Sequence, residues 1–419
     1  MKFSFVSMIF VLVVISLLGG CDHVADVETV GYAFPSVANI AAMSHTEVTQ
    51  NAKNNLPVHH RELVDHEGAS GVVSPNNDTL YSGISIDMSH SPQFLELPAL
   101  EDTRYQSMMV TDMRAYNIAE FVNNGQGGRF MFAVKGYQGD IPEGTRLIES
   151  ESDVLLVLIR TEVFNATDLP NVHRIQDQIK VSSLLNIVPN ITVFPDLPKI
   201  DPDNLKISVM SKWVEMAQWA MRHSPKLDNK DARYKERINR LKPGILNKIV
   251  FAYGVYKLRK EGAKMTSTKG LYGPRAEVTE NHWARGAITT VSHLAMSYKR
   301  ASYPTFNVDI NGDELVGCHT YTATFKDVPV NAFWSLTVYK DSDKQLVPND
   351  LKKYRVSDKT AVAGQDGSVI IHLGGNPVAD NYLPLPEDCA EWYTIVRLYE
   401  PQEKFLNGSW KVPSIVKIK

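Results

Sequence analysis

The sequence predicts a multidomain, mainly β protein: two β-sandwich or jelly-roll-like domains joined by an α-helical region. Three observations predict it. Short segments rich in β-branched and apolar residues, separated by Gly, Pro, Asn and Asp, occupy both ends of the chain. Between about residues 206 and 300 the apolar residues recur instead at helical spacing. A length of 419 residues also exceeds the size at which a single core stops growing, about 250–300 residues. With 43% hydrophobic and 22% charged residues the chain is globular rather than disordered. Its formal charge of −3 argues against a dedicated nucleic-acid binder.

The first element is an address. Met1-Lys2 gives a short positive start, residues 3–18 are almost unbroken apolar, and Leu18-Gly19-Gly20-Cys21 follows. The run is shorter than the roughly 20 residues of a spanning helix, and its order fits an export signal. The ending resembles the bacterial lipobox, which implies cleavage before Cys21 and lipidation of its thiol, with Asp22 resembling an inner-membrane retention signal. The alternative is an uncleaved N-terminal membrane helix. In both cases the rest of the chain lies in the bacterial envelope, facing the periplasm.

Apolar Val37, Ile40, Ala41 and Val48 predict a short amphipathic helix over 37–50. Segments 82–87, 106–112, 129–134 and 154–160 read as strands of an antiparallel system, separated by turns such as Asn123-Asn124-Gly125. A helix follows Asp168 to about Ile179, and Pro189, Pro195, Pro198 and Pro202 make a stiff exit. In the helical region Met210, Trp213, Ala217 and Ala220 share one face, and Ile245, Ile249, Ala252 and Tyr256 another. Ala284, Ala287, Ile288, Val291, Leu294, Ala295 and Tyr298 form the clearest stripe. Strands resume at 320–325, 333–339, 368–373 and 393–399, predicting the second sandwich.

Charge is distributed unevenly. Residues 206–300 hold 20 Lys+Arg and 7 Asp+Glu, a surplus of +13; the remaining 24 basic and 40 acidic residues give −16. A basic helical module on a lipid-anchored protein faces anionic headgroups, attracts an anionic substrate, or docks on an acidic domain; a solvated face without a partner is the plain alternative. Cys318 and Cys389 either pair, as an oxidising envelope permits, or remain two buried thiols.

The familiar catalytic signatures are mostly absent: no G-x-S-x-G elbow, phosphate loop, dinucleotide fingerprint or His-Glu-x-x-His zinc helix. Two clusters remain. If 59–66 is helical, His59, Glu62 and His66 share a face that would hold a divalent metal; surface helices produce such triples often, and no metal site is assigned. The run Ser74-Pro75-Asn76-Asn77-Asp78-Thr79-Leu80-Tyr81-Ser82 is either a turn whose Asn and Asp bind nearby backbone, or a projection of Asn76, Asp78 and Tyr81 into a cleft.

The run from Val73 to Ser82 resembles the signature of the DUF-1254 N-terminal domain, a family of unknown function, together with Asn55, His59-His60-Arg61-Glu62-Leu63, Arg104-Tyr105, Asp112-Met113 and Gln176-Asp177. The C-terminal part resembles its partner domain, DUF-1214, through Asp309, Gly312, Leu315, Gly317, Tyr321-Thr322, Ala332-Phe333-Trp334-Ser335-Leu336, Asp366-Gly367-Ser368 and Arg397-Leu398-Tyr399. Lys352-Lys353-Tyr354 and Tyr382 depart from the family pattern. The resulting division is 1–21 signal peptide, 22–203 N-terminal β-rich domain, 204–300 helical segment and 301–419 C-terminal β domain. The resemblance implies β-rich domains around a helical segment and brings no settled reaction.

Two functions compete. One is an envelope hydrolase acting on a small polar or anionic compound. Asp78 is then base or water-orienting carboxylate, His59 its acid/base partner and Tyr81 a hydrogen-bond donor; Arg61, Asn76, Thr79, Asp112 and Arg397 bind substrate. On that reading Asp78→Asn abolishes activity and leaves the fold intact. The other is a non-catalytic binding or structural lipoprotein. Expected partners are the membrane, through Cys21, a small-molecule ligand and a second copy of the chain.

Overall fold

The computed structural model describes residues 25–50, 53–67, 73–100, 103–184 and 212–418. The signal segment with Cys21, the proline-rich exit at 189–202 and Met210 lie outside the described residues. Within them the protein is mainly β, as the sequence predicts, with a helical region between the two β units along the chain and no closed barrel.

The chain enters through α1 (Val27–Gln50), far longer than the predicted 37–50 and carrying Pro35 inside it. Strands β1 (Val58–His59) and β2 (Thr79–Asp87) follow, then β3 (Gln93–Leu97), β4 (Gln106–Thr111), β5 (Asn117–Asn123), β6 (Gly128–Val134), β7 (Thr145–Ser150) and β8 (Val154–Glu162). Helix α2 (Leu169–Asp177) and β9 (Lys180–Ser183) complete the first unit. One sheet has the order β1-β2-β8-β4-β5, the other β7-β6-β3-β9. Between them Ile84, Leu95, Met108, Phe130, Phe132, Val157 and Ile159 form the core.

β8 is buried along nearly its whole length, which alternation alone would not give. Leu155, Val157 and Ile159 face the other sheet. On the opposite face Val154 and Leu156 pack on the helical layer, while Leu158 packs against the C-terminal unit. A strand covered on both faces reads as a continuous apolar run.

The helical layer comprises α3 (Trp213–Arg222), α4 (Asn229–Arg240), α5 (Ile245–Gly262) and α6 (His282–Thr289). α1 belongs to this layer: Val30, Ala33, Val37 and Ile40 share one core with Trp213, Ile238, Phe251 and Leu258. The close crossing depends on small residues. A Cβ on Gly286 would lie 2.7 Å from the Gly31 carbonyl oxygen, and one on Gly254 2.7 Å from Val30 Cγ1. Two periodicity readings are corrected. α6 ends at Thr289, so the stripe positions Val291, Leu294, Ala295 and Tyr298 lie in turns and irregular backbone. In α5 the buried residues are Val250, Phe251, Ala252, Val255 and Leu258, whereas Ile245 is 70% exposed. The helix is apolar around much of its circumference, so neighbours and not sequence pattern decide which stripe is covered.

The C-terminal unit adds β10 (Ala301–Ser302), β11 (Thr305–Phe306), β12 (Tyr321–Phe325), β13 (Trp334–Lys340), β14 (Arg355–Ser357), β15 (Val369–Leu373), β16 (Tyr382–Leu383) and β17 (Trp392–Tyr399), then α7 (Glu403–Leu406) and β18 (Val416–Lys417). Its sheets are β10-β17-β13-β14, with β11 also on β17, and β16-β15-β12-β18. Trp334, Leu336, Val396 and Leu398 point into the sandwich against Tyr321, Phe325 and Ile371. The alternate residues of β13 and β17 face the N-terminal unit. Cys318 and Cys389 are joined by a disulfide.

Candidate functional site

The signature turn sits on the outward face of β13, β14 and β17. In register Ser335 pairs with Arg397 and Ser357, and Thr337 with Arg355, so these polar side chains stand in adjacent rows on one sheet. Period-two alternation places Arg397 and Tyr399 together there. Asp78 enters this face from the start of β2. Its Oδ1 accepts from Arg355 Nη1 at 2.8 Å, and its Oδ2 from Ser335 Oγ at 2.7 Å and Tyr399 OH at 2.9 Å. Its backbone N–H donates to Asn76 Oδ1 at 2.7 Å. Asn76 Nδ2 lies 2.9 Å from Tyr81 OH, 3.1 Å from Thr79 Oγ1 and 3.2 Å from Tyr399 OH. Arg397 donates to Thr337 Oγ1 at 3.0 Å and to the Ser74 carbonyl at 3.1 Å, and also to Tyr339 OH.

Asp78 has no exposed surface. Burial alone would raise its pKa, but the charges of Arg355 and Arg397 and the hydrogen bonds from Arg355 and Ser335 outweigh burial and lower it. Both carboxylate oxygens are occupied by protein. Chemically this is an ionised anchor across the seam between the β units.

The structure therefore brings Asn76, Asp78, Thr79, Tyr81 and Arg397 together and places the other predicted residues elsewhere. His59 is in β1, and the segment after it is irregular, so the helical face of His59, Glu62 and His66 does not form. His66 Nδ1 instead bonds Tyr354 OH at 2.8 Å. His59 Nδ1 is 2.8 Å from Ser82 Oγ; burial and the neighbouring Arg61 push its pKa down to about 4 against the opposing pull of Asp177. Arg61 donates to the His173 carbonyl and Gln176 Oε1 at 3.2 Å and pairs with Asp177, tying the irregular segment to α2. Glu162, at the end of β8, accepts from the Tyr105 N–H at 2.9 Å and is pushed up to about 7, mainly by burial.

Asp112 belongs to a second constellation. Its Oδ1 accepts from the N–H groups of Arg114 and Tyr116 at 2.9 Å, and Oδ2 lies 3.1 Å from Arg114 Nη2. Arg114 also pairs with Glu151 and Asp231, and Arg275 Nη1 reaches Asp231 at 2.7 Å. Three guanidiniums surround the Tyr116 ring, with centroid distances of 3.6 Å for Arg285, 5.2 Å for Arg114 and 5.7 Å for Arg275. Asp112, Arg114, Tyr116, Glu151 and Arg275 line a cleft of about 250 Å³, with Ile118, Lys135 and Glu149 at its wall; Asp231 and Arg285 are buried behind it. Sequence reasoning found only Asp112 here. Arg114 and Tyr116 follow Asp112 in the same turn between β4 and β5, whereas Glu151, Asp231, Arg275 and Arg285 come from other parts of the chain that no local spacing links.

Buried arginines recur beside strained turns. Ser74, Ala115 and Leu294 have positive φ of 50°, 58° and 59°, a conformation that favours glycine. Their carbonyls accept from Arg397, Arg285 and Arg160 respectively, at 3.1, 3.0 and 2.7 Å. Each guanidinium satisfies a carbonyl that the left-handed residue turns away from the regular ladder.

The fold and these two constellations define a two-sandwich protein with a helical layer, its units clamped by a polar turn. Residues 54–183 match the family model described as "Protein of unknown function (DUF1254)", and residues 300–403 match "Protein of unknown function (DUF1214)", in that order. The fold is similar to the crystal structure of the VPA0106 protein from Vibrio parahaemolyticus, with TM-score 0.71 and 24% identity over 94% of this chain and 99% of that one. An uncharacterized protein from Burkholderia cenocepacia aligns over 98% of this chain and 94% of its own, with TM-score 0.46 and 10% identity. No curated protein matches the chain in sequence.

Proposed function

We propose that the protein is a lipid-anchored envelope protein that binds a small polar or anionic molecule in the arginine–carboxylate cleft, and that its signature turn clamps the two β units into a rigid frame. The observation that carries this reading is the pair of guanidiniums, Arg114 and Arg275, that flank Tyr116 at an open cleft, with the buried Arg285 stacked on the ring behind them. Groups of both signs, fixed by Asp112, Glu151 and Asp231, are preorganised to orient a ligand without reorganisation. Asp78, with both oxygens occupied, fits a clamp better than a base.

One contact favours the hydrolase reading instead. His59 and Ser82 are within hydrogen-bond distance, the arrangement of a base beside a nucleophile. A histidine with pKa about 4 is a weak base at neutral pH, so this reading stands second.

A thermal-shift panel of dicarboxylates, amino acids, phosphate esters and carboxylic esters, run beside a turnover assay, tests both. A compound that raises the melting temperature of the wild type, and fails to raise it in Arg275→Gln and Lys135→Gln, supports the cleft. A shift that persists in both variants overturns it. Ester turnover lost in Ser82→Ala at unchanged melting temperature would establish the hydrolase.

A further inference from the structure

We propose that the end of the helical layer around Lys242, Ile245 and Lys248 rests on an anionic lipid bilayer; its placement there rests on the reading of Cys21 as the lipid anchor. The start of the described chain is pinned to this surface. The Ala25 N–H donates to Asn247 Oδ1 at 2.6 Å, Asp26 pairs with Arg237 at 2.6 Å, and Glu28 with Arg233 at 3.4 Å. Cys21 lies four positions before Ala25, a reach of at most about 14 Å. An acylated Cys21 therefore holds the bilayer within that distance of Ala25, which is bonded to Asn247.

The surface so presented has the composition of an interface binder. Ile245, two residues from Asn247, is 70% exposed at the start of α5, beside the exposed Lys242-Pro243-Gly244. Residues 229–248 hold 7 basic and 2 acidic residues, a surplus of +5, and including Asp26 and Glu28 leaves +3. An apolar residue flanked by Lys242 and Lys248 inserts at the headgroup boundary while the cations meet anionic phosphates. The apolar residue would be costly to leave in water, and the lipid surface covers it without requiring a shape-matched partner.

The test uses the form beginning at Asp22, which contains every residue of the described fold, in sedimentation with phosphatidylglycerol–phosphatidylethanolamine vesicles and with phosphatidylcholine vesicles. Binding to the anionic vesicles alone, declining as salt is raised, is expected. Lys242→Glu with Lys248→Glu should weaken it at least about tenfold, since each nearby cation contributes about a fivefold factor. Ile245→Asp should weaken it as well, and the exposed Lys411→Glu in the C-terminal unit should not. Equal binding to both vesicle types, or no binding, overturns the proposal. So does a dimer in light scattering that the same variants abolish, because the occupant would then be a second copy. Fatty-acid labelling of the full chain and its Cys21→Ser variant separates the two readings. Label without vesicle binding removes the lipid surface alone, and vesicle binding by the Asp22 form without label removes the anchor alone.

Discussion

Asp78 of the N-terminal β unit and Arg355 of the C-terminal unit form a buried ion pair across the seam, 2.8 Å from Oδ1 to Nη1. Arg355 also donates to the Val163 carbonyl at the end of β8, so one guanidinium holds both the signature turn and the strand behind it. A pair with its remaining valences filled by Ser335 and Tyr399 meets the condition under which buried charges are tolerated.

Removing one partner leaves the other charge buried without compensation. Asp78→Asn keeps the shape and is expected to destabilise the protein by about 3–5 kcal/mol, read as a lower melting temperature at neutral pH. Because the folded pKa of Asp78 is lowered, its contribution is complete above the ordinary carboxylate value of about 3.9 and is lost as pH falls through the folded value. The melting temperatures of wild type and variant should therefore converge in acid. A constant difference across pH would show that the charge is not what the seam requires.

Glu162 has the opposite sign. Its pKa is raised to about 7, chiefly by burial, although Tyr105 N–H and the charges of Lys359 and Arg355 pull it down. The fold favours the protonated form, so stability is full below the unfolded value near 4.5 and falls as pH rises towards 7. Glu162→Gln should gain up to about 3 kcal/mol over wild type at pH above 7 and nothing in acid. Denaturant midpoints across that range check it; a variant less stable at alkaline pH would contradict the assignment.

The strands, their texture and the grouping of Asn76, Asp78 and Tyr81 were legible because they follow from local periodicity and from a single run of residues; the approach of Arg397, more than three hundred residues on, was not. Neither was the role of these residues. Asp78 read equally well as a base because its partners Ser335 and Arg355 lie more than two hundred and fifty residues away in sequence. The cleft was legible only through Asp112, since Arg114, Asp231 and Arg285 meet when the helical layer folds back on β5 and the turn before it. The packing of α1 was hidden for a related reason: its residues share a core with α5 and α6, more than two hundred positions on.

That packing predicts a specific sensitivity. Gly286 of α6 meets the backbone of Gly31 so closely that a methyl group would lie 2.7 Å from its carbonyl oxygen, and backbone cannot swing aside as a side chain can. Gly286→Ala should cost about 1–3 kcal/mol despite its better helix propensity. Ile245→Ala, at a 70% exposed position on α5, serves as control and should leave the urea midpoint nearly unchanged. Equal stability of Gly286→Ala and wild type would mean that α1 does not lie against α6 as described.

The disulfide gives the last prediction. Cys318 precedes β12 and Cys389 precedes β17, and the bond closes a separation of 71 residues within the C-terminal unit. In the chain-entropy account, closing a loop of that length removes freedom from the unfolded chain worth about 4 kcal/mol. Reduction, or Cys318→Ser with Cys389→Ser, should therefore lower the melting temperature of the C-terminal unit. The Asp78–Arg355 pair couples that unit to the first, so the transition should remain single in the reduced wild type and split into two in the reduced Asp78→Asn variant. Calorimetry of the four forms distinguishes the cases. Two transitions already present in the reduced wild type would mean that the seam does not carry the cooperativity assigned to it.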